Sequence, residues 1–105
     1  LSLGEKVCRE VNPEIQVFRG GVTSGDQFIS DKKVKDQITE TFQGYCVEME
    51  GAAIAQTAWL NKVPFLIARA ISDKADDSAT VDYPVFERQA IDHCVKLTQN
   101  MMKYL

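Results

Sequence analysis

Between Val63 and Ile71 the chain carries one charge, Arg69, in a run rich in Val, Ile, Phe and Leu, and a polar stretch, Ser72-Asp73-Lys74-Ala75-Asp76, follows at once. Apolar residues at consecutive positions predict a strand covered on both faces, as in the middle of an α/β sheet. Ser72 and Asp73 fall where that strand should stop. In open α/β folds, ligands bind in the crevice beyond the carboxyl ends of the strands. Asp73 is then a carboxylate with an apolar strand behind it. Burial raises a carboxyl pKa and keeps a proton available near neutrality, which suits a general acid. A helix N-cap or a turn Asp accounts for the same residue without any chemistry.

The rest of the chain alternates around this run. Residues 1–11 read as a helix that stops before Asn12-Pro13, a turn signal. Residues 15–22 read as a strand finishing at Gly20-Gly21-Val22, and Thr23-Ser24-Gly25-Asp26 as a loop. Ser30 or Asp31 caps a helix over 32–42, with Val34, Ile38 and Phe42 on one stripe, and Gly44 ends it. A short strand over 45–49 leads to a second helix over 51–60, opened by Glu50. That helix is small or apolar on nearly every side and is expected to be buried, against a sheet or a partner subunit. After Asp73 a polar loop runs to Tyr83, and Pro84 suits the first turn of a last helix reaching about residue 104. Helix, strand, helix, strand, helix, strand, helix is an α/β order. Three strands make a thin sheet, so further strands are expected from a missing segment or another chain.

Composition removes several function classes. The 105 residues fit one domain, and 45% hydrophobic with 26% charged residues is a globular balance. A formal charge of -3 and a pI of about 5.1 argue against a nucleic-acid surface, as does the lack of any basic cluster larger than Lys32-Lys33. No apolar run approaches the ~20 residues that a membrane helix needs, and Glu5, Lys6, Arg9 and Glu10 stand where a signal peptide would have its apolar core. Cys8, Cys46 and Cys94 are odd in number and far apart, and His93 is the sole histidine, so neither a disulfide framework nor a zinc site is indicated. They are expected to be buried thiols of a reduced, cytoplasmic protein. The chain starts Leu1-Ser2-Leu3-Gly4, without Met, in the manner of a helix begun earlier, and a piece of a longer protein is expected.

Two strand ends carry acids, Glu48-Met49-Glu50 and Ser72-Asp73. If these strands are parallel neighbours, Glu50 and Asp73 share a crevice. A carboxylate can accept both hydroxyls of a vicinal diol such as that of a ribose. A protonated carboxyl can donate to a leaving-group nitrogen. Arg69 lies two pleat steps before Asp73, on the same face, where it can hold Glu50 ionised and oriented. The ordinary alternative for Glu48 and Glu50 is the preference of helix first turns for acids. Phe28 and Ile29 can wall a flat base or simply pack under a loop, and Tyr83 can close over a ligand or anchor its own loop.

Three stretches together carry a family resemblance: Ser24-Gly25-Asp26-Gln27-Phe28-Ile29, Val47-Glu48-Met49-Glu50-Gly51-Ala52-Ala53-Ile54-Ala55, and Val63-Pro64-Phe65 with Arg69-Ala70-Ile71-Ser72-Asp73-Lys74-Ala75-Asp76. In this order and spacing the chain resembles the 5′-methylthioadenosine/S-adenosylhomocysteine nucleosidases of the nucleoside phosphorylase superfamily. The resemblance implies an α/β fold, a mixed sheet flanked by helices in a three-layer sandwich, here incomplete. It implies hydrolysis of an N-glycosidic bond with release of adenine, in methionine salvage, without a metal or cofactor. Asp73 would be the acid to adenine N7, steadied by Ser72. Glu50 and the Met49 backbone would hold the ribose hydroxyls, with Arg69 as partner of Glu50. Phe28 would stack on adenine, the Ile29 backbone would bond its edge, and Tyr83 would be an aromatic loop residue near the ligand.

The family's subunit is roughly twice as long. Its amino-terminal half supplies the first strands, the Glu that activates water, and a serine- and glycine-rich segment near the ribose. Residues 1–105 are therefore expected to be the carboxy-terminal part of one nucleosidase domain, weak or inactive alone. The expected partners are a small nucleoside, the missing half and a second subunit in a homodimer, with no nucleic acid or membrane. A purine nucleoside phosphorylase of the same superfamily and a non-catalytic nucleoside-binding fragment are the alternatives.

Overall fold

The structure is a computed structural model that describes the backbone of residues 1–105 and the side chains of residues 1–78 and 83–105. Helix α1, Ser2–Val11, carries an i,i+4 pair, Arg9 Nη2 to Glu5 Oε1 at 2.9 Å, on its outer face and buries Gly4 and Val7 on the other. It stops at Asn12, whose N–H donates to the Cys8 carbonyl at 2.9 Å. The fully buried Asn12 side chain then donates to the His93 carbonyl at 3.1 Å and ties α1 to the last helix, α4, Ala79–Met101.

Strand β1, Val22–Ser24, pairs in parallel with β2, Cys46–Glu48, in the register Val22 to Cys46, Thr23 to Val47 and Ser24 to Glu48. Parallel neighbours need a crossover, and helix α2, Lys32–Phe42, supplies it. Asp31 caps α2 by accepting the Lys33 N–H at 2.7 Å. The chain leaves α2 through Gln43 in the left-handed conformation, φ 54°. Helix α3, Gly51–Leu60, starts where β2 ends. A one-turn 3₁₀ segment, Met102–Tyr104, completes the chain.

Several expectations need correction. The strand expected over 15–22 is confined to Val22–Ser24, because only these residues pair in register with β2; Thr23 and Ser24, read as loop, are in it. Residues 63–71 form no strand, since no described segment pairs with them, and Val63, Phe65 and Ile71 are half or more exposed. Within this chain helix α3 is not buried: Ile54, Trp59 and Leu60 are 55%, 77% and 71% exposed, as no described element covers its outer face. Gly44 is not the left-handed residue after α2. It sits where a Cβ would collide with Thr23 Oγ1, so it serves the close approach of β1. The last helix begins at Ala79 rather than Pro84, which lies inside it. A proline early in a helix forfeits one bond in a region where carbonyls can still be hydrated, and the helix forms around it. Among the described large apolar side chains only Val7 is fully buried. So much uncovered apolar surface is unusual for a self-sufficient domain.

Candidate functional site

A cleft of about 840 Å³ opens beyond the carboxyl ends of β1 and β2. Phe28 enters from the segment after β1, Met49 and Glu50 from the turn between β2 and α3, Arg69, Ser72 and Asp73 from the extended segment and its end, and Tyr83 from α4. Ile29 is half-buried and does not line the cleft. Seven of the eight residues singled out in the sequence are therefore gathered in one place. Phe28 and Met49 are 52% and 47% exposed, which leaves an aromatic face and a thioether free for an apolar ligand surface.

The acids of the cleft differ sharply. Glu50 is exposed, and its Oε2 accepts the Met49 N–H at 3.2 Å and meets Arg69 Nη2 at 3.2 Å. Glu48 has a side chain only 3% exposed; its Oε2 accepts the N–H groups of Glu50 at 3.1 Å and Gly51 at 2.7 Å and lies 3.7 Å from Arg69 Nε. Burial pushes the Glu48 carboxyl up. The Ser24 hydroxyl beside it, the two N–H donors and the Arg69 charge together outweigh that and hold it below its ordinary value. Glu48 is thus an ionised carboxylate at the start of α3, where the helix dipole also favours it. Cys46, two residues back on β2, has its thiol pushed up by burial and by the nearby Glu48 charge, so it is not an activated nucleophile.

Asp73 is half-buried, and its Oδ1 accepts the Ala75 N–H at 2.7 Å. This tight turn holds Ala75 at φ 53°, a left-handed conformation that an alanine adopts at a cost. Next to it Asp76 accepts both the N–H and the hydroxyl of Ser78, at 2.9 and 2.6 Å, and the hydroxyl is the main reason its carboxyl is held below the usual range. Two successive Asx turns therefore shape the loop that presents Asp73. The Tyr83 hydroxyl donates to Glu87 Oε1 at 3.4 Å along α4, leaving its ring at the cleft edge.

Sequence reasoning passed over Ser24 and left Glu48 as a first-turn acid. Ser24 Oγ accepts the Ala52 N–H at 3.0 Å, so it reaches from β1 to the start of α3. The spacing of Glu48 and Gly51, an acid three residues before a glycine that opens a helix, was the available signal. Among the described residues no group of three or more His, Cys, Asp or Glu side chains is placed to hold a metal, and no helix is long and apolar enough to cross a membrane.

Comparison with known proteins fits this geometry. The family model "Phosphorylase superfamily" matches residues 1–103. A 5′-methylthioadenosine/S-adenosylhomocysteine nucleosidase of Bacillus velezensis is 38% identical over 104 residues, covering 98% of this chain and 45% of the relative. Among solved structures, futalosine hydrolase of Helicobacter pylori superposes with a TM-score of 0.89 at 32% identity, over 99% of this chain and 44% of that one. The methylthioadenosine/adenosylhomocysteine nucleosidase of Neisseria meningitidis, solved in complex with methylthio-immucillin-A, gives 0.88 at 32% identity over 99% and 45%. The fold is thus the α/β fold of these enzymes, present here in part: the chain spans less than half the length of the curated relatives it matches.

Proposed function

The chain belongs to the phosphorylase superfamily, and we propose that its cleft is the purine and ribose site of a nucleosidase that hydrolyses 5′-methylthioadenosine and S-adenosylhomocysteine. One observation carries this reading. Glu50, with Arg69 on its outer oxygen, and Asp73 line a single cleft.

In the proposed reaction Glu50 accepts hydrogen bonds from the two ribose hydroxyls, and the Met49 backbone lies alongside. Phe28 stacks on adenine, the Ile29 backbone bonds its edge, and Tyr83 flanks the ligand. Asp73, with Ser72 beside it in the cleft wall, donates a proton to adenine N7 as the bond from ribose C1′ to adenine N9 breaks. The base leaves neutral instead of as an anion, help worth ~100- to 10,000-fold in rate. Water adds its oxygen to C1′ and loses a proton to a Glu contributed by the rest of the fold. On this reading residues 1–105 are the carboxy-terminal part of one domain. The uncovered 63–71 segment is where its sheet continues, and this part alone is weak or inactive. The exposed apolar face of α3 fits a homodimer contact. Three free thiols fit a reducing, cytoplasmic setting, and the substrates place the reaction in methionine salvage.

Adenine release from methylthioadenosine by the native full-length gene product, with and without phosphate, tests this. Release that ignores phosphate supports hydrolysis. Release that requires phosphate assigns the site to a phosphorylase, and nucleoside binding without release makes it a binding module.

A further inference from the structure

We propose that Glu48 is the positioning residue of the sugar grip: buried under the first turn of α3, its carboxylate sets the Met49–Glu50 turn and the Arg69 guanidinium in one arrangement. In that arrangement Glu50 is turned toward the substrate diol. The inference rests on the reading of the cleft given above and names a residue that this reading leaves without a role.

Glu50 stands at the N-cap of α3, yet its side chain makes no capping hydrogen bond. The capping falls to Glu48, which accepts the Glu50 and Gly51 N–H groups. Orphan amide groups at a helix start must find acceptors. Because Glu48 supplies one, Glu50 is released from that duty and its carboxylate stays exposed in the cleft. The same Glu48 oxygen lies 3.7 Å from Arg69 Nε, while Arg69 Nη2 reaches Glu50 at 3.2 Å. The guanidinium is a rigid plane, so fixing it at one edge limits where its other edge can hold Glu50.

Gly51 shows how closely this is built. A Cβ on it would lie 2.8 Å from Glu48 Oε1 and 3.0 Å from Oε2, so the carboxylate rests on a bare Cα. Glu48 Oε1 is buried with no hydrogen-bond partner among the described residues, both N–H donors being on Oε2. A half-satisfied buried carboxylate is a poor way to gain stability alone. Its orientation of Arg69 and of the turn gives it a different task.

The test uses the native full-length gene product and two substrates, methylthioadenosine and its 2′-deoxy analogue. The readout is the ratio of their kcat/KM values, which reports how well the diol is gripped. Glu48→Gln keeps the shape and removes the charge. It should lower the ratio by about tenfold, the scale of a hydrogen bond to a charged group, and adding Glu50→Gln should lower it little further. Gly51→Ala, which displaces the carboxylate without removing it, should lower the ratio in the same direction and carries the test if Glu48→Gln does not fold. A folded Glu48→Gln protein that loses activity equally on both substrates, as a cap alone would, overturns the inference and leaves the site reading intact. A wild-type protein indifferent to the 2′-hydroxyl overturns the site reading and this inference together.

Discussion

Arg69 Nη2, on the segment that carries Asp73, lies 3.2 Å from Glu50 Oε2 in the turn after β2. The same guanidinium serves Glu48, so one cation stands between a carboxylate exposed to ligand and one that is not. Replacing Arg69 by Met takes the cation from both carboxylates at once. Because Arg69 is itself 39% exposed, solvent screens part of the loss; we expect a cost of about 1–2 kcal/mol in unfolding free energy. The KM for methylthioadenosine should rise more than kcat falls. Urea denaturation and steady-state kinetics on one preparation check both.

Acid should weaken the fold through Glu48. Its folded pKa lies below the ordinary 4.5, so its contribution is complete above that value and is lost as pH falls through the lower, folded one. Glu5, Glu14 and Asp76 are held low as well and titrate with the same sign. The Glu48 share is therefore the difference between wild type and Glu48→Gln. Urea midpoints followed from neutrality to about pH 3 should fall more steeply in the wild type.

Ala75→Gly should relieve the left-handed strain beside Asp73. The expected gain is up to about 1 kcal/mol, offset in part by the freer unfolded glycine. Turnover should not improve, because the Ala75 N–H also fixes Asp73 and a looser turn fixes it less well. Thermal unfolding and kcat measured together would show a higher midpoint with unchanged or lower kcat.

Gly44→Ala should force β1 and β2 apart at Thr23, with a cost of about 1–3 kcal/mol. Thr23→Ala in the same protein removes the colliding hydroxyl and should restore much of the stability. A double-mutant cycle read by urea midpoint shows the coupling as a loss smaller than the sum of the parts.

Local signals were the legible part of this chain. The bounds of α2 and α3 were readable because a cap, a stripe or a small-residue run lies within the segment itself. Strands were harder, since a strand is a relation with a neighbour. Residues 63–71 have the composition of a central strand and no described partner, while Thr23 and Ser24 look like a loop and become strand through Cys46–Glu48. Pro84 marked the wrong start for α4, as the helix tolerates it inside. That Glu50, Arg69 and Asp73 line one cleft was legible from the acids after Cys46–Glu48 and from the polar stop of the apolar 63–71 run, although that run forms no strand. Glu48 was not, because what distinguishes it from its neighbour acid is burial.

The shared cleft of Glu50 and Asp73 is tested most directly by Asp73→Asn in the native full-length gene product, with turnover and binding of methylthioadenosine measured side by side. The account predicts a kcat lowered by ~100- to 10,000-fold with affinity changed little, since the diol contact at Glu50 is untouched. Full turnover in this variant, or adenine release that survives while binding is lost, would contradict it.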